Sequence, residues 1–325
     1  MRTGPDILRR FTTLPFVADL LVFGRAIRLE TNSPIILQNV HAALEGCGPA
    51  CSSTEGFVWR LVSDSEADLT PPWPDFSAFS TDGLHCENID QRSFFAVDPA
   101  TRMAVGFLAD DLVNDALGFE EFFISRLFAA TAVSLGLIAV SAACIAKNDK
   151  GLLVFGPTGI GKTVCCYAAS KAGFQLHSDQ VVFLDLQGDR LRAWGDFWPV
   201  AFYQGAENLF PELSALARPV QHKVSTPLCV ERHRLSAFRP AGVSPIGLVV
   251  LQEEPSNAFR VVPLEPSRGE AIAWENCLCG RDEHSRLGLE GILRALGHLP
   301  AYRLACKGDP FAVVEVFLGL FRTNA

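Results

Sequence analysis

Leu152 to Thr163 reads LLVFGPTGIGKT, and its two halves call for different structure. Four apolar residues, Leu152 to Phe155, suit a buried strand. GPTGIGKT then runs from Gly156 through Pro157, Thr158, Gly159, Ile160 and Gly161 to Lys162 and Thr163, and fits the phosphate-loop pattern GxxxxGK[ST]. Glycines 156, 159 and 161 let the backbone bend tightly and aim consecutive amides inward, and the helix expected next presents its positive dipole end to phosphate. Lys162 is expected to reach the β and γ phosphates. The Thr163 hydroxyl is expected to join a magnesium shell, because Mg2+ combines one or two protein oxygens with phosphate oxygens and water. The expected ligands are ATP and Mg2+, and the strand, loop, helix order predicts an α/β nucleotide-binding core.

On either side of the loop the pattern extends this core. Leu137 to Ala146 predicts a strand, Lys147 to Lys150 a polar turn, and the helix after the loop runs to near Gly173. Leu248 to Leu251 and Phe259 to Val262 predict later strands, and Leu287 to Leu296 and Phe311 to Phe321 closing helices. Phe119 to Leu135 has apolar residues at helical spacing behind Glu120 and Glu121, whose charge suits a helix start, and is expected to connect two domains. Residues 1–120 are read as a smaller mixed α+β domain for substrate recognition, and 121–325 as the phosphate-loop domain. In the first, Ile27 to Glu30 and Phe57 to Val62 alternate like strands, and Ser93 to Val97 and Met103 to Leu108 flank a turn-rich Asp98-Pro99-Ala100-Thr101 as a hairpin. Thr70 to Asp90 reads as loop.

Bulk composition narrows the function classes. Against 36 Asp and Glu stand 28 Lys and Arg, a formal charge of -8, which argues against a generally basic surface for nucleic acid or anionic membrane. The ten cysteines include the neighbours Cys165 and Cys166 in an expected helix, which suits a reducing cytoplasm better than a secreted disulfide framework. Cys47, Cys51, His85 and Cys86 can be drawn as a zinc site, but no second short Cys pair completes it, and apolar packing is the simpler reading. Arg9 and Arg10 precede a short apolar run broken by Asp19, without a signal-peptide cleavage site. Leu127 to Ala146 is twenty residues without a charge, long enough to raise a membrane span; Gly136, the recurring Ser and Thr, and the strand that follows favour a buried core. The expected setting is therefore cytoplasmic, with neither membrane nor nucleic acid as partner and with a homo-oligomer allowed.

A phosphate loop identifies a ligand and leaves the reaction open. Asp179, in HSDQ before an apolar run, is placed to meet the metal or take a proton from an acceptor hydroxyl, and Asp185, closing VVFLD, is a second carboxylate candidate. His177 and His222 are read as structural before catalytic. Lys223, Arg232, Arg234 and Arg239 form a basic stretch that reads first as a solvated face and second as a phosphate clamp. Trp194, Phe197, Trp198, Phe202 and Tyr203 are expected to pack a core or lid, with base stacking as the alternative.

Taken together, LLVFGPTGIGKTVCCYAASKAGFQLHSDQVVFL resembles the kinase domain of HPr kinase/phosphorylase, and more closely its shorter relatives that occur beside peptide-modification genes. The shared features are a strand, GxxGxGK[ST], a helix ending in Gly, and a Ser-Asp pair, and they cover about residues 137–186. The resemblance implies that Lys162 and Thr163 handle phosphates and magnesium. It also implies that Asp179 is the first of two paired aspartates, activating the acceptor and facing the metal. Gln180 stands where the second would be, and Ser141, fifteen residues ahead of Gly156, where the family has a histidine. An amide neither accepts a proton at neutral pH nor neutralises a cation, and a serine does not support the acid-base chemistry of imidazole. Phosphoryl transfer depends chiefly on positioning and electrostatics, so the expectation remains a kinase moving a γ-phosphoryl group to a Ser or Thr hydroxyl of a peptide or protein. Its catalytic residues are Lys162 and Asp179, with Thr163 and Asp179 at the metal. The signature that follows the aspartates in the bifunctional bacterial enzyme is absent, so HPr is not the expected acceptor. The alternatives are a catalytically weak nucleotide-binding scaffold and a small-molecule kinase.

Overall fold

Gly136, left-handed at φ +73°, marks the point where one unit of the chain ends at Leu135 and another begins. The computed structural model describes residues 12–44, 56–64, 77–81, 83–89, 93–203, 205–219, 227–235, 242–253, 260–265, 268–278, 283–306 and 309–324. No helix among them is long and apolar enough to cross a membrane. The uncharged run from Leu127 instead divides among the helix Ser125–Ala132, a 3-10 turn at Val133–Leu135 and two short strands.

The first unit is a mixed sheet of seven strands: β1 (Phe16–Val22), β2 (Arg25–Thr31), β3 (Phe57–Asp64), β4 (Ser77–Thr81), β5 (Leu84–Asn88), β6 (Phe94–Asp98) and β7 (Met103–Ala109). They lie in the order β1-β2-β3-β7-β6-β5-β4, with β2, β3 and β7 parallel. Parallel pairing needs a crossover, and the helix Pro34–Ala43 provides it between β2 and β3. Ser33 caps that helix by accepting the Ile36 amide, and Pro34 fills its first turn, where no amide is needed. β6 and β7 form the hairpin expected around Asp98. Two strands, β4 and β5, occupy what reads as loop in the sequence. Thr81 pairs with Leu84 and Gly83 takes φ +81°, so the Asp-Gly in the sequence at 82–83 reads as a hairpin signal that the sparse alternation around it obscures. The segment from Phe119 packs into this unit, opening as a π-helix at Phe119–Ile124 and continuing as Ser125–Ala132. It buries Phe119, Phe123 and Phe128, the last edge-on to Phe23 and Trp59 at centroid distances of 5.6 and 6.3 Å.

The second unit is α/β and holds three sheets. The largest combines β9 (Ala143–Lys147), β10 (Lys150–Phe155), β11 (Gln175–Ser178), β17 (Ser244–Glu253), β18 (Arg260–Pro263) and β19 (Ala301–Cys306) in the order β11-β9-β10-β17-β19-β18. Its centre, β10-β17-β19, is parallel. Asn148 and Asp149, at φ +51° and +60°, make the tight turn from β9 into β10, a conformation that Asn and Asp tolerate better than other non-glycine residues. A three-stranded sheet joins β8 (Ile138–Ser141), β12 (Val181–Gln187) and β13 (Arg190–Gly195), and a smaller one β14 (Val200–Phe202), β15 (Arg218–Pro219) and β16 (Leu228–Val230).

The apolar run 137–146 is therefore two strands in two sheets, not the single strand its composition suggests. The chain changes sheet at Ala142, and it changes back between β11 and β12 at Asp179 and Gln180. These two crossings are tied by a bond from the Ala142 amide to the Gln180 carbonyl at 3.0 Å. β8 and β9 are buried except at their last residues, so their composition carries no period that would mark the break.

Candidate functional site

The phosphate loop follows β10, at the carboxyl end of the parallel strands, where open α/β sheets leave a crevice for ligands. Gly156, Gly159 and Gly161 all take positive φ, at +146°, +86° and +97°. At Gly156 a side chain would also press on β17, with Cβ 3.0 Å from the Leu251 carbonyl oxygen. The helix Lys162–Lys171 starts at left-handed Gly161 with no side-chain cap, so its opening amides point outward without an intrahelical acceptor. It closes in a Schellman turn at Gly173, φ +88°, with Phe174 N bonded to Ala169 O at 3.2 Å and Gly173 N to Ser170 O at 3.2 Å. The helix is anchored by Cys165, Cys166 and Tyr167, with Tyr167 edge-on to Phe202 and Phe210 at 5.1 and 4.8 Å, contacts worth about 0.5–1.5 kcal/mol each.

Lys162 folds over the loop and donates to the carbonyls of Gly156 at 2.7 Å and Pro157 at 3.2 Å. Burial pushes its ammonium below the usual lysine range, opposed by the charge of Asp179. β10 and β11 run in the same direction on either side of β9, so Asp179 and the loop leave the sheet at the same edge. The neighbouring thiols serve as packing: burial raises Cys144 and Cys166, leaving both protonated and unreactive.

Asp179 stands at the corner between β11 and β12, 1% exposed. Its Oδ1 accepts from Nη2 of Arg232 at 2.7 Å, and its Oδ2 from the Ala201 amide at 3.4 Å. The same Nη2 also contacts Oδ1 of Asp196. Burial raises the Asp179 carboxyl above the usual aspartate range, with Arg232 and the Ala201 amide opposing. One guanidinium shared between two buried carboxylates offsets only part of the cost of burying them. Asp196 arrives on the residue after β13, and its Oδ2 lies 3.0 Å from the Ser178 hydroxyl and accepts from the amides of Gln180 and Val181 at 3.3 and 3.1 Å. Gly195 makes this approach possible, since a Cβ there would overlap the His177 carbonyl.

The other sequence candidates fall elsewhere. Asp185 is buried and accepts from the Trp194 indole at 3.0 Å. His177 is buried with Nε2 3.2 Å from the Ala193 carbonyl oxygen. Arg234 is exposed and donates to the Leu216 carbonyl at 2.8 Å, as a solvated face requires. Arg232 departs from that reading: it is 5% exposed, because two carboxylates and the Trp198 carbonyl, 2.6 Å from Nε, replace its water. The aromatic cluster is mostly core, with Phe197, Trp198 and Phe202 buried and Tyr203 exposed. Ser141 pairs with Val181 across β8 and β12. His85 lies 3.6 Å from Glu87 Oε2, while Cys47, Cys51, His222, Lys223 and Arg239 lie outside the described residues. Among the described residues, no three His, Cys, Asp or Glu side chains converge in a ready metal site.

The cradle fits a phosphate chain: three left-handed glycines, an uncapped helix start and a lysine ammonium converge on one loop. For Mg2+ the fitting donor is the half-buried Thr163 hydroxyl, with Asp179 as the carboxylate at the same sheet edge. The missed residues were Asp196 and the buried role of Arg232; the only local signal for the first was its Gly-Asp context at a strand end. No protein-family model matches this chain, and no curated protein matches it significantly.

Proposed function

We propose that this chain is a kinase of the HPr-kinase-like class, using ATP and Mg2+ to transfer a γ-phosphoryl group to a Ser or Thr hydroxyl of a peptide or protein. One observation carries the reading: β10 and β11 both pair antiparallel with β9 and so run in the same direction, which brings the loop after β10 and the buried Asp179 after β11 to one edge of the sheet. A carboxylate at that edge suits a metal ligand under either reading, and the kinase reading adds to it the removal of the acceptor's proton. Lys162 releases its loop carbonyls to the β and γ phosphates, and the Gly161–Thr163 amides hold the phosphate chain. Thr163 and Asp179 would hold Mg2+, which supplies charge neutralisation when bound. Asp179 orients the acceptor hydroxyl and takes its proton as the oxygen attacks. The first unit is the proposed recognition element for the acceptor.

The nucleotide-binding scaffold is the second reading, and it too has an observation behind it: both oxygens of Asp179 are engaged, by Arg232 and by the Ala201 amide. Full-length protein with Mg2+ and γ-labelled ATP, offered Ser- and Thr-containing peptides encoded nearby, separates the two. A kinase labels an acceptor and loses label in both Lys162→Ala and Asp179→Asn. Nucleotide binding without any labelled acceptor, with Asp179→Asn indistinguishable from the parent, would leave the scaffold. Lys162→Ala should weaken nucleotide binding about 10- to 100-fold under either reading, so it checks the loop alone.

A further inference from the structure

Asp179 sits where the chain passes between two sheets, and such a corner leaves amides without ladder partners. At this corner the amides of Gln180 and Val181 both donate to one side-chain oxygen, Oδ2 of Asp196, sixteen and fifteen residues away. Ser178 Oγ, 2.6 Å from the Val181 carbonyl oxygen, lies 3.0 Å from the same Asp196 oxygen. The other oxygen of Asp196 meets Arg232, whose Nη2 also holds Asp179 and whose Nε is tied to the Trp198 carbonyl. All three charged groups are buried, at 1%, 0% and 5% exposure for Asp179, Asp196 and Arg232.

We propose that Asp196 and Arg232 are positioning residues for Asp179: together they clamp residues 178–181 and fix where the Asp179 carboxylate stands relative to Lys162. A buried charge cluster is a poor source of stability, since apolar side chains of similar volume often do as well, so its use here points to geometry. The geometry is specific. Asp196 binds the backbone on the far side of Asp179, and Arg232 binds its carboxylate, so both ends of the residue are held. Gln180 gives the corner no charge of its own, and Asp196 brings a second carboxylate from outside the motif. Two carboxylates facing one guanidinium leave a formal charge of about −1. Lys162 is the cation on the loop side. Neither positioning residue is assigned a contact with the transferred group.

The kinetic consequence rests on the phosphotransferase reading; the clamp itself does not. Asp196→Asn keeps the size of the side chain but removes its charge, and Arg232→Lys keeps the charge but loses the planar group whose Nε holds the Trp198 carbonyl while Nη2 meets both carboxylates. In the full-length protein, each variant is expected to bind ATP with Mg2+ within about threefold of the parent and to lose about 100-fold in turnover of γ-labelled ATP, the scale of an angstrom-sized misplacement. The double variant should be no slower than the worse single one, because both act through Asp179. Amide hydrogen exchange at Gln180 and Val181 should accelerate in Asp196→Asn. Turnover within threefold of the parent in both singles would overturn the proposal, as would an equal loss of nucleotide affinity, which a general structural role produces. If the parent turns over no ATP, the kinase reading fails separately, and unchanged exchange at Gln180 and Val181 would then reject the clamp.

Discussion

Eight consecutive residues make the phosphate loop, whereas the Asp179 corner draws on residues 178–181, Asp196, Ala201 and Arg232. The loop works through backbone: three positive-φ glycines and the bare start of a helix aim its amides, and Lys162 closes it against its own carbonyls. The corner works through side chains, with carboxylates and a guanidinium replacing bonds that two diverging sheets cannot make. A backbone site of this kind tolerates loss of a side chain without unfolding. A charge cluster in the interior does not, because removing one member strands the others away from water.

The strongest way to break this contrast is to remove the shared cation. Arg232→Met should cost about 3–5 kcal/mol in urea unfolding, since Asp179 and Asp196 would be left buried without a counter-charge. Lys162→Met should cost less than about 1 kcal/mol, because it gives up only its bonds to two loop carbonyls. Equal losses in the two variants would mean that the regions are not built differently.

Glycine substitutions sharpen the same comparison at smaller scale. Gly195→Ala forces β13 away from the His177 carbonyl and should destabilise by about 1–3 kcal/mol, measured by the same unfolding. Gly159→Ala meets no atom within 4 Å, so its cost is confined to a left-handed backbone, about 1 kcal/mol, and its larger effect should be on nucleotide affinity by calorimetry. A Gly195→Ala protein as stable as the parent would show that the corner yields without strain.

The smallest effect concerns a buried carboxylate in the first unit. Burial pushes Glu87 up, but its bond to His85 and the charge and bond of Arg126 outweigh this and hold it below the usual glutamate range. A depressed native value stabilises the fold fully above the unfolded value, near about pH 4.3, and that contribution is lost as pH falls through the native value. Glu87→Gln should therefore lose stability at pH 7 and converge on the parent as the pH falls through the depressed native value. A parent-to-variant gap that stays constant across that range would assign Glu87 no electrostatic part.

Much of the fold was legible because short-range rules set it. The β6-β7 hairpin followed from Asp98 and its turn residues, and the helices Glu283–Gly297 and Pro310–Asn324 from apolar spacing. The β4-β5 hairpin was hidden by weak alternation despite the Asp-Gly in its sequence, and the break at Ala142 was invisible because buried strands on both sides read as one apolar run. At the candidate site, the glycine-rich loop and Asp179 are singled out by pattern alone. Arg232 was seen as one of several basic residues, and nothing along the chain distinguished it from exposed Arg234 two positions later.

By itself the sequence determined the shape of the GPTGIGKT loop, for a physical reason: the sign of φ at three glycines, the direction of the following amides and the strand-to-helix order are all decided within a dozen residues. Only the tertiary structure decided the company of Asp179. Burial makes a charge costly wherever it lies, and which opposite charge relieves it depends on distance in space, a quantity that the spacing of Asp179, Asp196 and Arg232 along the chain does not contain.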